Sequence, residues 1–134
     1  LACTAALASL DLLLTDSRLA DIQRITTQHA TFADTLRQYA GVTQVRQRGT
    51  LLAFDLVTNG QTQNASTDSA SGGPARSYFN NIRDVAYNFL LDRDVLMRPL
   101  GNVLYFMPPY CTTNAQLQTA YEAVLELLGT LEKK

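Results

Sequence analysis

Val42-Thr43-Gln44-Val45-Arg46-Gln47-Arg48-Gly49-Thr50-Leu51-Leu52-Ala53-Phe54-Asp55-Leu56-Val57 is the stretch on which the reading of the whole chain turns. Seven large apolar residues (Val42, Val45, Leu51, Leu52, Phe54, Leu56 and Val57) surround Gly49, which suits one or two strands with a bend at Arg48-Gly49-Thr50. Sheet starts here, and the segments before it carry helical spacing. Arg46 and Arg48 flank Gln47, so the arginines share one strand face and Gln47 takes the other. Like charges on one face stay in water, and they are not read as catalytic.

Upstream, residues 2–14 are strong helix formers and apolar nearly all round, more than one small domain can cover. Asp16 or Ser17 then offers an N-cap. Leu19, Ile22, Ile25, Phe32, Leu36 and Tyr39 follow at helical steps, with Gly41 as the stop. Downstream, Asn59 to Arg76 has no large apolar residue and reads as a mobile loop rather than a domain linker. Ser77 caps a third helix with Phe79, Ile82, Val85 or Ala86, and Phe89 or Leu90 on its stripe, ending near Arg93. Val95 to Met97 and Val103 to Phe106 read as short strands of a hairpin around Pro99-Leu100-Gly101-Asn102. Met107-Pro108-Pro109-Tyr110 must leave the sheet, because prolines lack ladder donors. Thr113 and Gln116 form a capping box, and Leu117, Tyr121, Val124, Leu128 and Leu131 are the buried face of the last helix. The pattern is an α/β (α+β) domain over 1–134: a small, mostly antiparallel sheet with helices packed on one face.

With 134 residues, 46% hydrophobic and only 17% charged, the chain can bury a core and is not a disordered tail. The apolar run Leu10 to Leu14, interrupted by Asp11, is too short to cross a bilayer. A formal charge of -1 offers a polyanion little, so neither nucleic acid nor membrane is an expected partner. The distant pair Cys3 and Cys111 reads as a reducing compartment, by default the cytoplasm, which leaves the sequon Asn64-Ala65-Ser66 without a secretory context. Starting at Leu1 without a charged leader, the chain reads as a piece of something longer.

Nine of the eleven basic residues are arginines and the two lysines are Lys133 and Lys134, so no lysine sits within a pocket and Schiff-base chemistry is hard for this segment alone. His29 has no metal-ligand spacing around it and is expected at a helix surface or partly packed; no metal is expected. Asp92 and Asp94, alternate residues at a helix-to-strand junction, are assigned to solvent. The densest cluster of unusual residues is Met97 to Tyr110. Arg98 precedes a proline that holds its backbone extended, at a strand end where its planar fork can meet a carboxylate bidentately. Tyr105 and Tyr110 can bring phenol groups to the same place, although strand tyrosines also serve as half-buried packing.

Leu1-Ala2-Cys3-Thr4-Ala5-Ala6-Leu7-Ala8-Ser9, Val45-Arg46-Gln47-Arg48-Gly49 and the stretch Arg98 to Tyr110 together resemble the carboxyl-terminal part of class III pyridoxal-phosphate aminotransferases. The resemblance covers essentially the whole chain, least well at Asn59 to Arg76. Leu104-Tyr105 and Met107-Pro108-Pro109-Tyr110 set it apart from ornithine and acetylornithine aminotransferases. It implies ping-pong transamination from S-adenosylmethionine to the keto acid 8-amino-7-oxononanoate, in a homodimer. Arg98 matches the family arginine that pairs with the keto acid's distal carboxylate, and Tyr105 a tyrosine lining the substrate site. The Schiff-base lysine, the aspartate at the pyridine nitrogen and the phosphate-binding residues belong to a preceding large domain, against which residues 1–14 would pack. Pyridoxal phosphate is therefore expected in the full-length parent and not on this segment, which has no catalytic residue of its own. The alternatives are another class III aminotransferase or a free-standing interaction module that dimerises through its apolar helix.

Overall fold

A computed structural model describes residues 1–57 and 81–132. The expected loop at 59–76, the sequon, the Ser77 cap, Phe79 and both lysines lie outside the described residues. The elements are α1 (Ala2–Leu13), α2 (Asp16–Leu36), β1 (Val42–Arg48), β2 (Leu51–Leu56), α3 (Asn81–Leu91), β3 (Val103–Phe106) and α4 (Asn114–Glu132). Among the described residues the strands form one antiparallel sheet in the order β1-β2-β3.

Alternation along β2 separates the two faces of the sheet. Leu52, Phe54 and Leu56 are buried under α2 and α4, while Leu51, Ala53 and Asp55 point away from the helices. Leu104 and Phe106 of β3 continue the covered face. Ile25, Phe32 and Leu36 of α2 and Leu117, Tyr121, Val124 and Leu128 of α4 close over it, with Ala86 and Leu90 of α3. The expected architecture, one small sheet with helices on one side, is the one observed. Gly49 has a φ of +55°, which explains a glycine at the β1–β2 bend.

Several local expectations are corrected. The N-cap of α2 is Thr15, not Asp16 or Ser17, and its hydroxyl bonds back to Leu12 O at 2.7 Å instead of capping. The helix ends at Leu36, well before Gly41. Tyr39 and Val42 then close successive tight turns, and Gly41 O accepts from Val57 N at 2.9 Å, so Gly41 already belongs to the entry into the sheet. Leu19 is exposed rather than part of the core. None of the α1 residues is buried within this layer.

Val95 to Met97 is not a strand. Helix α3 ends in a Schellman motif, with Val95 N on Leu90 O, Asp94 N on Leu91 O and Asp94 in the left-handed region at φ 59°. The chain leaves it extended and makes only one bridge, Leu100 to Val103, around a turn whose Gly101 has φ 64°. On its other edge β3 pairs with β2 along its length. Asn102 anchors this turn, its amide donating to Leu56 O at 3.1 Å. At the other end of β3 the prolines leave the sheet as expected. The Thr113–Gln116 box caps α4: Thr113 N donates to Gln116 Oε1 at 2.9 Å and Gln116 N to Thr113 Oγ1 at 3.3 Å.

Candidate functional site

The uncovered face of the sheet is where strand register gathers the polar residues. Arg46 is paired with Ala53 and Ala53 with Tyr105, so these three stand in one row across β1, β2 and β3. Directly bridged residues share a face, which puts Leu100 on the same side as Val103 and Tyr105. Arg98 lies two positions before Leu100 in an extended segment, and Tyr105 two positions after Val103, so Arg98 falls on this face at the level of Tyr105. Burial supports the placement: Leu96, Arg98 and Leu100 are exposed, whereas Met97 and Pro99 between them are buried. The buried neighbours hold the backbone while the guanidinium stays in solvent.

Charge on this face is unevenly compensated. Arg46 Nη1 donates to Asp55 Oδ1 at 2.7 Å and to Gln44 O at 2.8 Å, across a bulge in which Gln44 has a φ of 50°. That pair is committed. Arg48 stands at the far end of β1, opposite Leu51, exposed as expected, and the reading of Arg46 and Arg48 as sharing a face holds because Gln47 turns the other way to donate to Thr26 O at 2.8 Å. Arg18, Arg24, Arg37 and Arg93 are each paired with an acid. Arg98, like Arg48 and Arg83, has no ion pair or side-chain hydrogen bond among the described residues.

Tyr105 is half-buried on this face, its phenol oxygen making no hydrogen bond to the described residues. Tyr110 lies elsewhere: it lines a shallow cleft of about 290 Å³ with Thr50, Leu51 and Met107 to Pro109, at the Gly49 end of the sheet. A larger groove of about 600 Å³ between α2 and α4 lies on the helical layer, away from the uncovered face. Asp92 and Asp94 are exposed, as read, and the role of Asp94 is in the backbone turn. Cys3 and Cys111 are free and exposed. Among the described residues there is no cluster suited to a metal ion, and no helix is long and apolar enough to cross a membrane.

His29 corrects its sequence reading most sharply. It is fully buried, with Nδ1 2.6 Å from the Tyr121 hydroxyl and the ring packed at 5.6 Å on Phe106. Nε2 makes no well-formed hydrogen bond, only a looser approach to the Thr50 backbone. Loss of water pushes the His29 pKa below its ordinary value, partly offset by that approach, and burial pushes the Tyr121 phenol up to about 12. Both groups are neutral at pH 7. On the covered side of the sheet, the pair is part of the core and not of the open face.

The sequence model of Aminotransferase class-III matches residues 1–128. The adenosylmethionine-8-amino-7-oxononanoate aminotransferase of Synechococcus elongatus is 37% identical over 98% of this chain and 27% of its own length. That of Corynebacterium glutamicum is 30% identical over 94% of the chain and 26% of its length. The chain thus spans about a quarter of the curated relatives it matches. A crystal structure of the same-named enzyme from Methanocaldococcus jannaschii superposes with a TM-score of 0.69 at 26% identity, covering 92% of this chain and 27% of that one.

Proposed function

Because the chain belongs to the class III aminotransferase family, we propose that it is the carboxyl-terminal, substrate-facing part of a pyridoxal-phosphate enzyme of biotin biosynthesis. The parent converts 8-amino-7-oxononanoate to 7,8-diaminononanoate with S-adenosylmethionine as amino donor, as a cytoplasmic homodimer. The shared name of the curated relatives supports this choice of substrates. Residues 1–134 make one small domain, and residues 1–14 end a helix that packs on the parent's large domain. The apolar α1, none of whose residues is buried, supports that placement.

The observation that carries the reading is the placement of Arg98, a guanidinium with no ion pair among the described residues, on the same sheet face as the half-buried Tyr105. A planar fork takes a carboxylate through two parallel N–H···O bonds and so fixes direction as well as position. Holding the distal carboxylate of the keto acid, Arg98 sets which way the chain runs, and Tyr105 borders it from β3. The residues of this chain do not fit the cofactor itself: its anchor is a lysine amine, and the two lysines stand at the extreme end, Lys133 and Lys134. The part of this domain is binding and orientation.

Arg98→Ala in the parent enzyme is expected to raise KM for the keto acid and to cost about 1.5 to 3 kcal/mol in kcat/KM, the worth of a charge-assisted hydrogen bond. Steady-state kinetics with varied keto acid check it, and unchanged constants reject the role. Arg98→Lys should recover only part, since an ammonium keeps the charge without the fork.

A further inference from the structure

Two non-glycine residues among those described have a positive φ: Asp94, which closes α3, and Gln44, at 50° inside β1. The second needs its own explanation. Thr43 is paired with Asp55 and Arg46 with Ala53, so Gln44 and Val45 together stand opposite Phe54 alone, a bulge of one inserted residue. Had the first register continued, Arg46 would stand opposite Leu52, which is buried under the helices. The insertion turns Arg46 to the uncovered face. There its Nη1 donates to Gln44 O at 2.8 Å, from the strained residue itself, and to Asp55 Oδ1 at 2.7 Å. Asp55 is the only acid in the three described strands, and its side chain is only 16% exposed. A half-exposed ion pair adds little to stability, too little to account for a strained bulge.

We propose that Arg46 is a positioning residue for the anion held at Arg98: it cancels the charge of Asp55, so the face meets an incoming carboxylate without a fixed negative charge of its own. The inference rests on the functional reading above and adds a residue that does not touch the ligand. Counted from the register, Arg98 lies two strands across and two residues along from Asp55, about 12 Å between Cα atoms. No contact between them is needed, because charge acts through the space above the sheet. One unit charge at about 12 Å changes the binding of a monoanion about tenfold at an effective dielectric of about 20, and about twofold once physiological salt screens it. Bulges concentrate beside binding sites, where they re-aim a side chain.

A ladder of charge variants in the parent enzyme tests this. Arg46→Ala should raise KM for 8-amino-7-oxononanoate about two- to tenfold at unchanged kcat, and Asp55→Asn should lower it by a similar factor. The double variant, neutral again, should return to the parental KM. The rise in Arg46→Ala should shrink as salt is added, and Arg46→Lys, which keeps the charge, should keep the parental KM. A merely structural pair predicts otherwise: both single variants would melt lower and raise KM, salt would not matter, and the double variant would not recover. The proposal is overturned by an unchanged KM in Arg46→Ala while Arg98→Ala still raises it, by a rise that adding Asp55→Asn does not reverse, or by a rise indifferent to salt. If Arg98→Ala is also silent, the functional reading falls and this inference with it. Should Arg46→Ala fail to fold, Asp55→Asn decides alone: a lowered KM supports the proposal, and an unchanged or raised one overturns it.

Discussion

At position 29 an imidazole is taken out of water between two aromatic rings and given one hydrogen bond, to Tyr121. A buried ring in that state resists protonation, so its pKa in the folded chain lies below the ordinary 6.5. The unfolded chain then binds a proton more readily than the folded one as pH falls. The sign follows: the contribution of His29 is fully present above the ordinary value and is lost as pH drops through the folded-state value. The thermal midpoint should therefore fall between about pH 7 and about pH 5, and the fall should be shallower in His29→Gln, which cannot titrate. Parallel melting curves of the two proteins across that range would refute it. The burial had a trace in the sequence, since His29 sits four residues after Ile25 and three before Phe32, on the apolar stripe of α2. Its polarity argued for the surface. The partner that makes burial tolerable, Tyr121, is 92 positions away, and no local pattern announces it.

Elements were legible where their ends are made by neighbouring residues. The box at Thr113 and Gln116 is an example, and it does two things: it starts α4 and it orients a segment that Arg24 ties to α2, through donations to Thr112 O at 2.8 Å and Asn114 Oδ1 at 2.7 Å. Thr113→Ala should cost about 1 kcal/mol, as N-cap losses do, and Thr113→Ser little. Chemical denaturation should show the alanine midpoint lowered with an unchanged slope, and equal stability of all three would show that the cap is idle. The β1–β2 hairpin was equally readable from Gly49 and its flanking strands. The second hairpin was not, because its first arm makes a single bridge and no ladder. β3 has two edges, one taken by β2 along its length and the other by the segment before it, which leaves the Asp94 turn and makes one bridge, Leu100 to Val103. The exit from α2 also depended on distant residues, since the chain must be turned early enough for Gly41 to meet Val57.

For the molecule as a whole, the unusual quantity is apolar surface left in water. On α1 and its C-cap, Leu7, Leu10 and Leu14 are 63%, 50% and 71% exposed at a spacing that makes one stripe, next to an equally exposed Leu12. A surface of that kind drives association. The chain by itself should show a sedimentation coefficient that rises with concentration, and replacing Leu7 and Leu10 with glutamate should abolish the rise. A concentration-independent monomer would contradict this. The amino-acid order alone determined the helices, the bend at Gly49, the prolines that end β3, the cap of α4 and, by resemblance, the family to which the chain belongs, because each depends on residues close in sequence or on a motif read as a unit. Tertiary structure decided which strand β3 joins, that His29 is core, and that Arg46 is held by Asp55 while Arg98 makes no ion pair among the described residues. Those outcomes follow from pairing and burial between segments far apart in the chain, where the choice is made by which contacts exclude the others.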